Sequence, residues 1–147
     1  MRDVVEIRAF EPFHFEGEAL RDGISCADTS PEYLLRLKQA GPAWSLFVDG
    51  KLVCCIGLGY LFRGVAEVWS LMTPRADSYG RILHRICKII DEVQRDLELH
   101  RIQCNVLAGS ERNIKWALSL GFCPEGLAKW MGPNKEDMIR FAKLMEV

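Results

Sequence analysis

Residues 63–81 read RGVAEVWSLMTPRADSYGR, and this stretch decides how the fold of the chain is interpreted. Its first part, 63–73, is rich in the apolar residues that are typical of a strand, and Pro74 ends that run. The residues that follow open the most periodic segment of the chain, whose apolar side chains recur at helical spacing through 79–97. The stretch therefore predicts a strand, a short loop and a long helix.

The loop between this strand and this helix has two interpretations. The first N–H groups of a helix lack backbone partners, and the helix dipole adds positive potential there, so the loop could bind phosphate. Gly80 would let a ligand approach the backbone, while Arg75 and Arg81 would supply charge. The alternative is an ordinary helix start, in which Ser78 or Asp77 is the N-cap. A short glycine pattern alone does not decide between them.

The segments on either side complete a mixed α/β pattern. Asp49-Gly50 lies between two apolar runs and predicts a hairpin over 44–62. The central strand–helix–strand segment predicts a right-handed parallel crossover. No internal repeat or linker occurs, so we expect a single domain over 1–147. The other predicted elements are a strand at 4–10, an irregular helix at 13–23, a helix at 29–42, a strand at 100–107, a helix at 110–122, and strands at 122–130 and 137–145.

The composition argues against several classes of protein. The chain has 147 residues, of which 49% are hydrophobic and 27% are charged, and its formal net charge is −1. A chain of this balance can bury a core, and no basic field draws it to nucleic acid. No apolar run is long enough to span a membrane, and the charged N-terminus is unlike a signal peptide. We therefore expect a cytoplasmic protein.

The cysteines do not form a recognisable metal site. There is no Cys-x-x-Cys motif and no Cys/His pair with zinc-ligand spacing, so no metal is expected. Most cysteines lie in apolar runs and are expected to be reduced core thiols, whereas Cys26 lies in a polar stretch.

RADSYG at 75–80 and SERNIKWALSLGF at 110–122 are two motifs that resemble those of the GNAT family, the Gcn5-related N-acetyltransferases. The acetyl-CoA loop of that family has the pattern (Q/R)-x-x-G-x-(G/A), and RADSYG at 75–80 matches it with Ser78 in place of the first glycine. Members often carry N-x-x-(A/S)-I-x-x-Y-x-x-x-G-F, with which SERNIKWALSLGF at 110–122 aligns. The ending Gly121-Phe122-x-x-Glu125-Gly126 is similar to ribosomal-protein-type acetyltransferases. The resemblance covers nearly the whole chain and is best over 64–145. The run Glu67-Val68-Trp69, the loop at 75–80 and the helix at 110–122 also resemble small GNAT-like proteins encoded by bacteriophages.

The resemblance implies an α/β protein with a GNAT-like (acyl-CoA N-acyltransferase) fold, a mixed central sheet of about seven strands with about four helices. It implies an acetyl-CoA-dependent N-acetyltransferase, in which an amine attacks the thioester directly and acetyl-CoA is the cosubstrate. The amine acceptor is not identified by any motif. The alternative is a catalytically degenerate GNAT-fold protein with a structural or interaction role, for example in a bacteriophage. Domains of this kind often pair, so a homodimer is a further expectation.

The same resemblance assigns site residues. Glu67 is the candidate general base, because several members place a catalytic glutamate at about this point of the fourth strand. A solvent-facing side chain and an ion pair with Arg63 are the other interpretations of Glu67. Ala117 stands where many members carry a tyrosine that acts as general acid, and Ser110 replaces a usual asparagine, which a plain N-cap role explains equally well. The expected cofactor-binding residues are Leu71, Met72, Thr73, Arg75, Ser78, Tyr79, Gly80, Arg81, Ser110 and Asn113.

Overall fold

The computed structural model describes residues 3–21 and 29–147. Cys26 and the end of the helix predicted at 13–23 lie outside the described residues. Within the described residues there are seven strands, namely β1 (Val5–Ala9), β2 (Ala43–Val48), β3 (Lys51–Phe62), β4 (Val65–Met72), β5 (Arg101–Leu107), β6 (Cys123–Ala128) and β7 (Met138–Leu144). The four α-helices of the same residues are α1 (Pro31–Ala40), α2 (Gly80–Cys87), α3 (Ile90–Asp96) and α4 (Glu111–Ser119), and two 3-10 helices cover Pro12–Phe15 and Pro74–Tyr79.

The strands form one mixed sheet in the order β1-β2-β3-β4-β5-β7-β6. The pair β4–β5 is parallel, as predicted for the crossover, with Val65–Glu67 opposite Arg101–Gln103. Pairs β1–β2, β2–β3, β5–β7 and β6–β7 are antiparallel. The predicted hairpin turn is confirmed, because Asp49 and Gly50 have φ angles of 51° and 78°. Both angles are positive, as the two-residue turn that suits strand twist requires.

The described chain divides into two compact units. The first comprises Met1–Gly59 with Val68–Gly80, and the second comprises Tyr60–Glu67 with Arg81–Val147. That the chain is a single domain stays a prediction.

The first unit is built around a cluster of aromatic and aliphatic side chains. Trp69 packs against this cluster and meets Phe10 edge to face, with ring centroids 5.3 Å apart. The ring of Trp69 also lies over Gly57, where a methyl group would come within 2.6 Å of both the ring and the Cβ of Ala43. Gly57 is therefore required by close packing, since no side chain fits between them. The buried members of the cluster are Phe10, Phe15, Leu34, Leu37, Phe47, Leu52, Cys55 and Leu71.

In the second unit, Gln94 and Lys143 tie helix α3 to strand β7. The side chain of Gln94 is fully buried, and its Nε2 donates to the carbonyl of Lys143 at 3.1 Å. The ammonium of Lys143 in turn pairs with Asp91 and donates to the carbonyl of Leu120. Buried apolar residues of the second unit include Leu83, Cys87, Leu99, Ile102, Ala117, Phe122, Phe141 and Ala142.

The prediction of one continuous helix over 79–97 was wrong, because the structure has two helices there, α2 and α3. Ile89 donates its amide to Ile86 at 2.9 Å and Glu92 donates to Ile89 at 3.0 Å, which are bonds to the third preceding residue. Such bonds tighten the backbone locally into a 3-10 turn and interrupt the α-helix. The apolar periodicity continues across the break, so it could not reveal the interruption.

The helix predicted at 13–23 was also wrong in its described part. Only Pro12–Phe15 is helical, as a 3-10 turn. Its first residues are held by His14, whose Nδ1 accepts the amide of Glu11 at 3.2 Å. Because Nδ1 accepts, the neutral ring carries its proton on Nε2, and Ser45 Oγ donates to Nδ1 at 2.8 Å. Ser45 is then free to accept from the thiol of Cys55 at 3.4 Å.

The two glycines at 57 and 80 should respond oppositely to replacement by alanine. Gly57→Ala should lower the free energy of unfolding by about 1–3 kcal/mol, because the added methyl group overlaps Trp69 and Ala43. Gly80 has helical angles, with φ −54° and ψ −40°, and a methyl group there meets nothing within 4 Å. Gly80→Ala should therefore raise the free energy of unfolding by about 0.5–1 kcal/mol. Urea denaturation of both variants measures this, and equal effects would contradict the packing described.

The stability of the protein should fall as the pH drops below about 6.5 because of His14. Burial and the charge of Arg8 lower the pKa of His14 in the folded state, while Glu11 raises it by less. The unfolded chain therefore takes up the proton first, and the folded state loses the two bonds that Nδ1 accepts. Thermal unfolding between pH 7.5 and 5.5 should show a steeper loss for wild type than for His14→Ala. Parallel curves would show that His14 does not couple to folding.

Candidate active site

The end of strand β4 is held against strand β3 by Thr73. Its side chain is fully buried, and its hydroxyl donates to the carbonyls of Val53 at 2.8 Å and Leu52 at 3.2 Å. The amide of Thr73 also donates to Val53, at 3.0 Å. Because a peptide unit is planar and its N–H and C=O point in opposite directions, the carbonyl of Met72 points away from β3. This carbonyl accepts the amide of Arg21 at 2.7 Å.

The segment expected to be a loop is a 3-10 helix, Pro74–Tyr79, that runs directly into α2. Neither Ser78 nor Asp77 is an N-cap, since both lie inside this helical stretch. Ala76 is buried, whereas Ser78, Gly80 and Arg81 are exposed and Tyr79 is half-buried. The space beside Gly80 is open. The exposed side of this segment therefore offers open space beside Gly80, with one cation, Arg81, and one carboxylate, Asp77.

The side chain of Arg75 extends from the 3-10 helix to Glu18 and Leu52, which belong to the same unit. One of its guanidinium nitrogens, Nη1, donates to the carboxylate of Glu18 at 3.0 Å and to the carbonyl of Leu52 at 2.9 Å. The side chain of Arg75 is 41% exposed and that of Glu18 is 22% exposed. The guanidinium of Arg21 lies 3.7 Å from the carboxylate of Asp77. Residues 18–21 thus contact the candidate phosphate segment at several points.

Ser110 and Asn113 lie at the start of α4 in the second unit. Ser110 is the N-cap of this helix, and its Oγ accepts the amide of Asn113 at 3.3 Å. The N-cap interpretation of Ser110 is therefore confirmed, while its role with a cofactor stays a prediction. Further along the same helix, the buried Ala117 leaves no hydroxyl at the position where the resemblance would place a general acid.

Glu67 lies in a cluster of polar groups contributed by three strands of the second unit. Its Oε1 accepts Nδ2 of Asn105 on β5 at 3.1 Å and lies 3.9 Å from the guanidinium of Arg140 on β7. Asn105 and Arg140 are direct partners in the β5–β7 register. The structure thus gives Glu67 an ion-pair partner, Arg140, on another strand of the sheet.

The position of Asn105 indicates that the cluster is arranged around the Glu67 carboxylate. A carboxylate can only accept, so the amide nitrogen of Asn105 must face it and Oδ1 must point elsewhere. In the described part of the chain Oδ1 is buried with no hydrogen-bond partner, which costs free energy. The side chain of Glu67 remains about one-third exposed, at 35%, so it can still exchange protons with a ligand or with water.

Cys104 lies beside the same carboxylate but is not a nucleophile. Burial, with a contribution from the negative charge of Glu67, raises the pKa of its thiol to about 12. Burial likewise raises the pKa of Cys55 to about 11. Thiols of this kind are protonated at neutral pH and are poor nucleophiles.

Sequence reasoning found Glu67 but missed the residues that hold it. Asn105 gave a weak signal, as a polar residue within the apolar strand segment QCNVL at 103–107. Arg140 gave none, because a charged residue in a strand is ordinarily assigned to the solvent-facing side. The pairing of Glu18 with Arg75 had no sequence signal either.

Solved structures show what this architecture is similar to. Ard1 from Thermoplasma volcanium matches with a TM-score of 0.83 at 14% identity, covering 97% of this chain and 99% of that one. An acetyltransferase from Bacillus subtilis, solved in complex with CoA, matches with a TM-score of 0.74 at 14% identity, covering 97% and 100%. The ribosomal-protein-S18-alanine N-acetyltransferase from Escherichia coli matches with a TM-score of 0.74 at 15% identity, covering 98% and 96%.

These similarities show that the chain has the GNAT-like acyl-CoA N-acyltransferase fold, which confirms the fold predicted from the sequence. They give no support to the bacteriophage branch of the family. No protein-family model matches the sequence, and no curated protein is detectably similar to it. Within the described residues, no helix combines the length and apolar character needed to cross a membrane.

Proposed function

We propose that the protein is an N-acetyltransferase that transfers an acetyl group from acetyl-CoA to an amine. The observation that supports this most directly is the Glu67 carboxylate, which Asn105 and Arg140 hold in place on a GNAT-like sheet. Two of the similar structures are named as acetyltransferases and one of them contains CoA, which agrees with the proposal. A cosubstrate of this kind is intracellular, in keeping with the cytoplasmic location expected from the sequence.

The proposed cosubstrate fits the residues available at the end of β4. The exposed Arg81 offers charge to phosphates, and the space beside the exposed Gly80 is open. Leu71 and Met72 end strand β4, and Thr73 follows it. Of these, Thr73 contributes through the shape of the strand, because its amide and hydroxyl are already bonded to β3.

In the proposed reaction the thioester supplies an activated acetyl group, and the residues of the chain prepare the amine. An ammonium ion has no lone pair, so Glu67 would take one proton from it before attack. The amine nitrogen then bonds to the acetyl carbon, the carbon–sulfur bond breaks, and the departing thiolate takes up the proton that the attacking nitrogen loses. Asn105 and Arg140 act through Glu67 as positioning residues, since both contact the same carboxylate oxygen.

Binding of acetyl-CoA should depend on the charge at position 80. Calorimetry should show micromolar binding by wild type and a loss of about tenfold or more in Gly80→Asp, because a carboxylate there would repel phosphates. Gly80→Asn, which has the same size without the charge, is the matched control and should bind much more tightly than Gly80→Asp. Absence of binding by wild type at millimolar acetyl-CoA would overturn the proposed function.

Glu67→Gln should lower kcat/KM by about 100-fold or more, because the amide cannot accept the ammonium proton. The substitution keeps the size of the side chain, so acetyl-CoA affinity should stay unchanged. Release of CoA thiol is the readout, with a panel of primary amines as acceptors. Alanyl peptides come first, because one of the similar structures is named as an alanine N-acetyltransferase.

The control for this measurement is Glu146→Gln, which removes the same charge at an exposed position near the end of the chain. It should retain wild-type kinetics. A Glu67→Gln variant with wild-type kcat/KM would show that Glu67 is not the base.

A further inference from the structure

Residues 18–21, which we name the strap, contact the groups to which the proposed function assigns the cosubstrate. Glu18 pairs with Arg75 at 3.0 Å, and the amide of Arg21 donates to the carbonyl of Met72 at 2.7 Å. The guanidinium of Arg21 lies 3.7 Å from Asp77. All of these groups belong to the first unit. The strap therefore engages both the end of β4 and the 3-10 helix that follows it.

The contact between Glu18 and Arg75 places a carboxylate where an anionic ligand would be bound. Carboxylate and phosphate oxygens are recognised by the same guanidinium N–H groups, so the two compete for Arg75. Glu18 is the more buried member of the pair, with 22% of its side chain exposed against 41% for Arg75. A partly buried carboxylate is screened less by solvent than an exposed one, which strengthens its hold on the arginine.

The strap carries one charge of each sign. Glu18 neutralises Arg75, and Arg21 adds a positive charge beside Asp77. Segment 74–81 and the strap together keep a net charge of +1, because Arg75, Arg81 and Arg21 are positive while Asp77 and Glu18 are negative. The strap therefore competes with a phosphate at the guanidinium of Arg75 and not through the net charge of the segment.

We propose that the strap is a built-in competitor of the CoA thioester, a regulatory device of the same site. The inference rests on the proposed function. With the strap bound, Glu18 holds Arg75 and the Arg21 amide holds the Met72 carbonyl. Acetyl-CoA binds by displacing these contacts, and its measured affinity is reduced by the free energy of that displacement.

Calorimetry with acetyl-CoA tests the competition. Glu18→Gln should bind about threefold to tenfold more tightly than wild type at low salt, since the competing charge is gone. The gain should shrink as the salt concentration rises. Glu16→Gln is the matched control, because it removes the same charge at an exposed position two residues away, and its affinity should equal that of wild type. Glu18→Ala, which removes the hydrogen bond as well, should change affinity in the same direction.

Hydrogen exchange of the Arg21 amide is the second readout, and it does not depend on any substitution. The amide should exchange slowly in the free protein and rapidly when acetyl-CoA is saturating, because the Met72 carbonyl is then released from it. Equal affinity of Glu18→Gln and wild type, or an Arg21 amide that stays protected in the complex, would overturn the strap but leave the proposed function standing. Failure of every variant to bind acetyl-CoA would overturn the proposed function and the strap together.

Discussion

The hydrogen bonds of Thr73 to strand β3 are the constraint on which the candidate cosubstrate site depends. They fix the residue that follows β4 by its amide and by its hydroxyl, and both carbonyls that accept from the hydroxyl lie on β3. The planar peptide unit then directs the Met72 carbonyl away from β3. Pro74 follows at once and starts the 3-10 helix, so the direction of the exposed segment from Ser78 to Gly80 is set by the same bonds.

A second constraint acts at Glu67, where an acidic side chain depends on partners from other strands. Asn105 donates to it and Arg140 balances its charge, while the buried oxygen of Asn105 remains without a partner in the described part of the chain. Buried polar atoms without partners are uncommon in folded proteins and lower their stability. An arrangement that accepts this cost in order to hold one carboxylate is typical of a functional site.

Strand β4 spans the chain between these two constraints. Its first part pairs with β5 up to Glu67, and Thr73, the residue after its end, is bonded to β3. The carboxylate of Glu18 pairs with Arg75, the arginine that an anionic cosubstrate would contact. In the proposed competition, cosubstrate affinity would be linked to the conformation of residues 18–21.

Local signals in the sequence determined much of the secondary structure. Asp49-Gly50 specified the hairpin because both residues readily adopt the positive φ angles of a type I′ turn, which matches the strand twist. Ser30 and Ser110 specified helix starts because each accepts an amide three residues on. The break within 79–97 and the 3-10 helix at Pro74–Tyr79 were decided by tertiary structure, since the apolar periodicity is nearly the same with and without them. The partners of Glu67 and Arg75 were decided there too. Asn105 and Glu18 lie 38 and 57 residues away from the side chains they contact, and only the paired strands and the packed core bring such distant groups together.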